Sequence, residues 1–118
     1  MANEQSHLKV STSNGVTVVE FVASKILDEL SISEIRDELT KLASQPETTK
    51  LLLSFRNVEH LSSAALGVLI TLNKQVAERK AKLRLSDITP QIFEVFKITR
   101  LTKLFDIHDT TEKALVGF

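Results

Sequence analysis

Apolar and polar positions along the chain follow two rhythms, one of period two and one of period three to four. Val16–Val22 (VTVVEFV) is rich in β-branched residues and predicts a strand that is apolar on much of both faces. Lys50–Phe55 (KLLLSF) predicts a second, central strand. Leu83 and Leu85 alternate with Lys82 and Arg84, the pattern of a half-buried strand. Leu8–Thr12 predicts a short strand ahead of these. Asn14-Gly15 then marks a hairpin turn, because both residues tolerate positive φ. Leu104–Ile107 predicts a last short strand.

The helical rhythm fills the gaps. Ile32, Ile35, Leu39 and Leu42 recur at helical spacing. Ser31 with Glu34 three residues later reads as the capping box of that helix, Asp28 and Glu29 as the loop before it, and Pro46 as its stop. Leu66, Leu69, Leu72 and Val76 share a face after Ser62-Ser63, and this second helix closes on Glu78-Arg79-Lys80. Thr89-Pro90 opens a third helix, Thr as N-cap and Pro at the first helical position, with Ile92, Phe93, Val95 and Phe96 expected to pack inward. Thr110–Val116 predicts a fourth.

The resulting order, β-β-α-β-α-β-α-β-α, predicts an α/β fold. Its sheet is mixed and mostly parallel, of about four to five strands, with an N-terminal antiparallel hairpin at one edge and about four helices packed on it. Gly occurs only at 15, 67 and 117 and Pro only at 46 and 90, so no linker divides the chain and residues 1–118 read as one domain. Right-handed crossovers place the loops that enter helices at the carboxyl ends of the parallel strands, which makes Phe55–Ser63 the first place to look for function.

Composition removes several classes of chemistry. Lys plus Arg number 15 and Asp plus Glu 15, a formal net charge of zero that gives no electrostatic footprint for nucleic acid. Six Phe without Trp or Tyr offer little stacking platform for bases. There is no Cys, and three His are few for a metal site. Three unclustered Gly cannot build a phosphate-cradling loop, so neither a nucleotide nor another cofactor is expected. The start of the chain lacks a basic segment followed by an apolar run, and the longest apolar stretch, near Ala64–Ile70, is far below the roughly 18 residues of a membrane span. A cytoplasmic protein with no membrane insertion is the expectation.

The segment Ser62-Ser63-Ala64-Ala65-Leu66-Gly67 stands out against this background. His60 precedes it, but the run is not the Gly-x-Ser-x-Gly elbow of a nucleophilic serine, and His60 reads as a solvated loop residue. The carboxylate pair Asp37/Glu38 reads as part of a solvated helix face. One of the two serines is accounted for as an N-cap, worth about 1 kcal/mol over Ala. The smooth turn that follows is not, and Gly67 inside a helix costs about 1 kcal/mol relative to Ala. Ala64, Ala65 and Gly67 would leave this helix end open to another protein.

At these residues the chain resembles the STAS-domain anti-sigma factor antagonists of bacteria, whose motif at the start of the second helix is Asp-Ser-(Ser or Thr)-Gly-Leu-Gly. Anchored on Leu66-Gly67-Val68, Ser62 stands at the Asp, Ser63 at the phosphorylated Ser, Ala64 at the Ser/Thr and Ala65 at the first Gly. The resemblance extends through Ile88-Thr89-Pro90, Phe93, Phe96, Ile98, Leu101 and Leu104-Phe105, and through Val16–Val22 with Ile26-Leu27-Asp28. It implies a STAS fold and a binding module rather than an enzyme. The implied partner is an anti-sigma factor with serine-kinase activity, bound when the chain is unmodified and released by phosphorylation of Ser63, with Ser62 the second choice. A serine phosphatase would reverse the modification. The implied partner-binding residues are Asp28, His60, Leu61, Ser62, Ser63, Ala64, Ala65 and Gly67. Where the family places an acidic or amide residue at the end of its third strand, this chain has Ser54. Those departures keep an alternative open, a STAS scaffold subunit of a signalling assembly or of a phospholipid transporter, without phospho-switching.

Overall fold

A computed structural model describes residues 8–22, 25–26 and 28–118; Met1–His7, Ala23, Ser24 and Leu27 lie outside the described residues. The elements in chain order are β1 (Leu8–Ser13), β2 (Val16–Phe21), β3 (Lys25–Ile26), α1 (Glu29–Ala43), β4 (Lys50–Ser54), β5 (His60–Leu61), α2 (Ser63–Glu78), β6 (Lys82–Ser86), α3 (Pro90–Ile98), a 3-10 turn (Leu101–Lys103), β7 (Asp106–His108) and α4 (Thr111–Leu115). The main sheet has the order β1-β2-β4-β6-β7. Only β1 runs antiparallel to its neighbour; β2, β4, β6 and β7 are parallel. This is the mixed sheet that the alternation of apolar runs predicts.

The hairpin forms where Asn14-Gly15 places it. Ser13 faces Val16, and the two turn residues take φ values of 51° and 81°, the left-handed pair that suits the twist of the strands it joins. On β4, Leu51 and Leu53 face the main core and Leu52 the opposite side, as strand alternation requires. Three helices cover the main core, which is threaded by a row of rings. Phe21 lies 5.0 Å from Phe55, Phe55 6.5 Å from Phe96, and Phe96 5.9 Å from Phe105, between ring centres. Leu66, Leu69, Leu72 and Val76 form the buried face of α2, as their spacing predicts.

The structure corrects several boundaries. Helix α1 starts three residues before the predicted capping box: Asp28 is its N-cap, accepting from the Ser31 N–H at 2.9 Å, and Glu29 is already helical. An Asp ahead of the first turn outcompetes a Ser within it, because its carboxylate also meets the positive end of the helix dipole. Strand β2 ends at Phe21, and Val22 is exposed. The last strand is Asp106–His108, since Leu101–Lys103 winds into a 3-10 turn that leaves Leu104 exposed. On α3, Ile92 and Phe96 are buried and Val95 half-buried, but Phe93 points outward. One face of a helix this short holds an i, i+4 pair and little more.

Candidate functional site

The site assembles where the two strand-sized fragments β3 and β5 meet. They pair in parallel, Lys25 with His60 and Ile26 with Leu61, and the Ser62 N–H extends the ladder to the Ile26 carbonyl at 3.1 Å. Each fragment runs into a helix start almost at once: Asp28 caps α1 and Ser62 caps α2. Two helix N-termini therefore stand side by side, and α1 and α2 pack along each other behind them. At the far end of the pair, the Arg79 guanidinium donates to the carbonyls of Ala43, Gln45 at 3.0 Å and Thr48 at 3.3 Å, satisfying acceptors that the end of α1 leaves open.

The two starts differ in charge. Helix α1 has Asp28 at its cap and Glu29 in its first turn, whereas α2 has a neutral cap and no acidic residue in its first turn. The partial positive charge at a helix N-terminus is thus offset at α1 and left uncompensated within α2. Ser62 is engaged in the fold: its Oγ accepts from the Ala65 N–H at 3.2 Å, and its carbonyl accepts the first helical bond, from the Leu66 N–H at 3.1 Å. Ser63, the first helical residue, is exposed, and its hydroxyl has no hydrogen-bond partner among the described residues.

Of the residues singled out in the sequence, Asp28, His60, Ser63, Ala64 and Gly67 are exposed, and Leu61 and Ser62 are half-buried. Ala65 is buried and faces inward with Leu61, so it seats the helix rather than lining the surface. A Cβ added at Gly67 would meet nothing within 4 Å, so no close packing inside the molecule requires glycine there. The exposed stripe Ser63, Ala64, Gly67, Ile70 is small and open. Beneath it, between Phe21, Ile26, Phe55, Leu61 and Ala65, the apolar interior leaves a void of about 10 Å³, no more than one water would fill. What this site offers is a surface, not a chamber for a small molecule.

Sequence reasoning missed β3 and β5. Two-residue strands have no periodicity to read; the only signal was that Ile26 and Leu61 each stand just ahead of a capping residue. Among the described residues no helix is long and apolar enough to cross a membrane.

The chain matches the model of the STAS domain over residues 7–114. It is 28% identical over 86 residues to the anti-sigma-B factor antagonist of Bacillus subtilis, covering 73% of this chain and 77% of that one. A STAS-domain anti-sigma-factor antagonist protein from Planctomyces limnophilus superposes with a TM-score of 0.82 at 21% identity, over 92% of this chain and 94% of that one. The Bacillus cell-fate determinant SpoIIAA, solved in its phosphorylated form, superposes with a TM-score of 0.70 at 16% identity, over 92% and 96% of the two chains. The paired helix starts, the hairpin-edged parallel sheet and the matched span agree: this chain belongs to the STAS domain family.

Proposed function

We propose that the chain is an anti-sigma factor antagonist that works by partner switching. Unmodified, the surface around Asp28, His60, Ser63, Ala64 and Gly67 docks on an anti-sigma factor that is also a serine kinase. Phosphorylation of Ser63 ends the complex, and a serine phosphatase restores it, all within the cytoplasm. The observation that carries this reading is the exposed, unpartnered Ser63 hydroxyl at the uncompensated N-terminus of α2. The names of the relatives and a fold shared with a protein solved in phosphorylated form support it.

The physics of such a switch is direct. A phosphoserine brings about −1.5 to −2 charges at neutral pH. At the start of α2 it meets backbone N–H groups that lack helical partners and the positive end of the dipole, so the free fold tolerates it. In a buried interface the same charge must be desolvated or paired. One group therefore spares the fold and opposes the complex. Ser62 is the poorer acceptor because its oxygen already holds the Ala65 N–H.

The test is site-mapping mass spectrometry on protein from its own cells, with and without stress, followed by binding to the captured kinase. A single phosphate at Ser63 of changing occupancy is the expected result. Ser63→Ala should keep binding, and Ser63→Asp should weaken it by about tenfold or more, as an unpaired charge carried into the interface would. Equal binding by both variants overturns the switch and leaves a constitutive STAS interaction module.

A further inference from the structure

At the carboxyl end of the sheet a single carboxylate oxygen gathers three hydroxyls from three elements. Asp87 Oδ2 accepts from Thr111 Oγ1 at 2.6 Å, from Ser86 Oγ at 2.9 Å and from Ser54 Oγ at 3.3 Å. Ser54 ends β4, Ser86 ends β6 and Thr111 opens α4. Ser54 and Ser86 are 1% and 0% exposed, so their hydroxyls have no water to turn to. Asp87 itself holds φ at 58°, a left-handed backbone that costs a non-Gly residue energy but that Asp and Asn tolerate best. A strained backbone held at a residue whose side chain collects two buried donors and a half-buried third is over-determined by its surroundings.

From that hub the chain leads straight into the loop of the candidate site. Immediately after Ser54, the Phe55 N–H donates to the Ser86 carbonyl at 2.9 Å, and the Val58 N–H donates to the Phe55 carbonyl at 3.0 Å. Phe55 and Val58 are wholly buried. The far end of the loop is tied separately, by β5 to β3 and by the Ser62 N–H to the Ile26 carbonyl. The loop thus hangs between two moorings, and the one nearer the sheet is made by Asp87 and Ser86. Where the resemblance would place an acidic or amide residue at the end of the third strand this chain has Ser54, and the carboxylate that Ser54 meets belongs to Asp87, the residue just after β6.

We infer that Asp87 is a positioning residue for the loop Phe55–Ser62, fixing through Ser54 and Ser86 the angle at which Ser63 is presented. The functional meaning of that angle rests on the partner-switching reading; the mooring itself does not. The test is hydrogen–deuterium exchange on the full chain without a partner, reading the amides of Val58 and Ser62 against those of β2 as the gauge of global opening. Asp87→Asn tolerates the left-handed backbone and removes the charge. It should speed loop exchange relative to β2 by about tenfold. Asp87→Gly should do the same. Adding Ser54→Asp to Asp87→Gly returns a carboxylate from the β4 side and should bring loop exchange back to within about threefold of the parent. If loop and β2 amides accelerate together, or if the relocated carboxylate restores nothing, Asp87 is a general stabiliser and the inference is wrong. Failure of the Ser63 variants to alter binding would leave this exchange result standing, and the reverse also holds.

Discussion

Leu51 and Leu53 leave one side of β4 and Leu52 the other, and all three are buried to within 1%. The two sides reach that burial by different routes. On the first, α1, α2 and α3 lay down a broad apolar layer built on the row of phenylalanines. On the second, Val16, Val18 and Leu52 lie beneath a five-residue helix and the residues after it. A helix that short has almost no stability of its own. It is held by Arg84, which rises from β6 on this side, bonds Asp106 at 3.0 Å, and donates to the carbonyls of Ala114, Val116 and Gly117 at 2.8, 2.9 and 3.2 Å. Its guanidinium also sits 4.5 Å from the centre of the Phe118 ring. One side is closed by area, the other by one side chain that turns loose carbonyls into bonded ones. Area distributes its contribution over many residues; a polar clasp concentrates it in one.

The sharpest break of this contrast is in the main core. Phe96→Ala removes a wholly buried ring that touches two others and should cost about 3–5 kcal/mol in denaturant unfolding, with the slope unchanged. Arg84→Met keeps much of the apolar stem and deletes the donors. A loss of about 1–3 kcal/mol is expected, with amide exchange faster in α4 and unchanged in α1 and α2. Exchange that rose evenly across the molecule would show that the clasp is not local. The smallest effects belong to the start of α2 and have opposite signs. Ser62→Ala deletes the cap and should destabilise by about 1 kcal/mol, whereas Gly67→Ala enters open space and should stabilise by about as much. If Gly67→Ala stabilises the free chain and also weakens its binding to the proposed anti-sigma partner, the missing Cβ serves the interface.

The part of the fold legible in the sequence was the part written in local periodicity. Val16–Phe21, Leu51–Leu53 and the Leu66/Leu69/Leu72/Val76 face announced strands and a helix, and Asn14-Gly15 and Thr89-Pro90 announced their turn and cap. What stayed hidden is written between distant residues. Ser54 in β4, Asp87 in the loop after β6 and Thr111 in α4 are far apart along the chain, and no spacing rule connects them. The left-handed backbones at Lys80, Asp87 and Arg100 carry no glycine to mark them. At the candidate site the serines and the open helix end were readable, but not the inward turn of Ala65, nor the pairing of β3 with β5 that brings Asp28 beside them.

The ladder register has a consequence for the birth of the molecule. Thr17 pairs with Leu51, and Leu51 with Leu83, so each parallel neighbour lies a full crossover away along the chain. On a ribosome adding roughly 5–20 residues per second, β2 emerges with the hairpin made and then waits on the order of seconds for β4 to appear. During that wait its far edge is an unpaired row of amides flanked by Val16, Val18, Val19 and Phe21, the composition that seeds association between nascent chains. Thr17 and Glu20 interrupt the run at the positions that later pair with Leu51 and Ser54, so the polar residues of this buried strand guard the chain before it has a sheet to join.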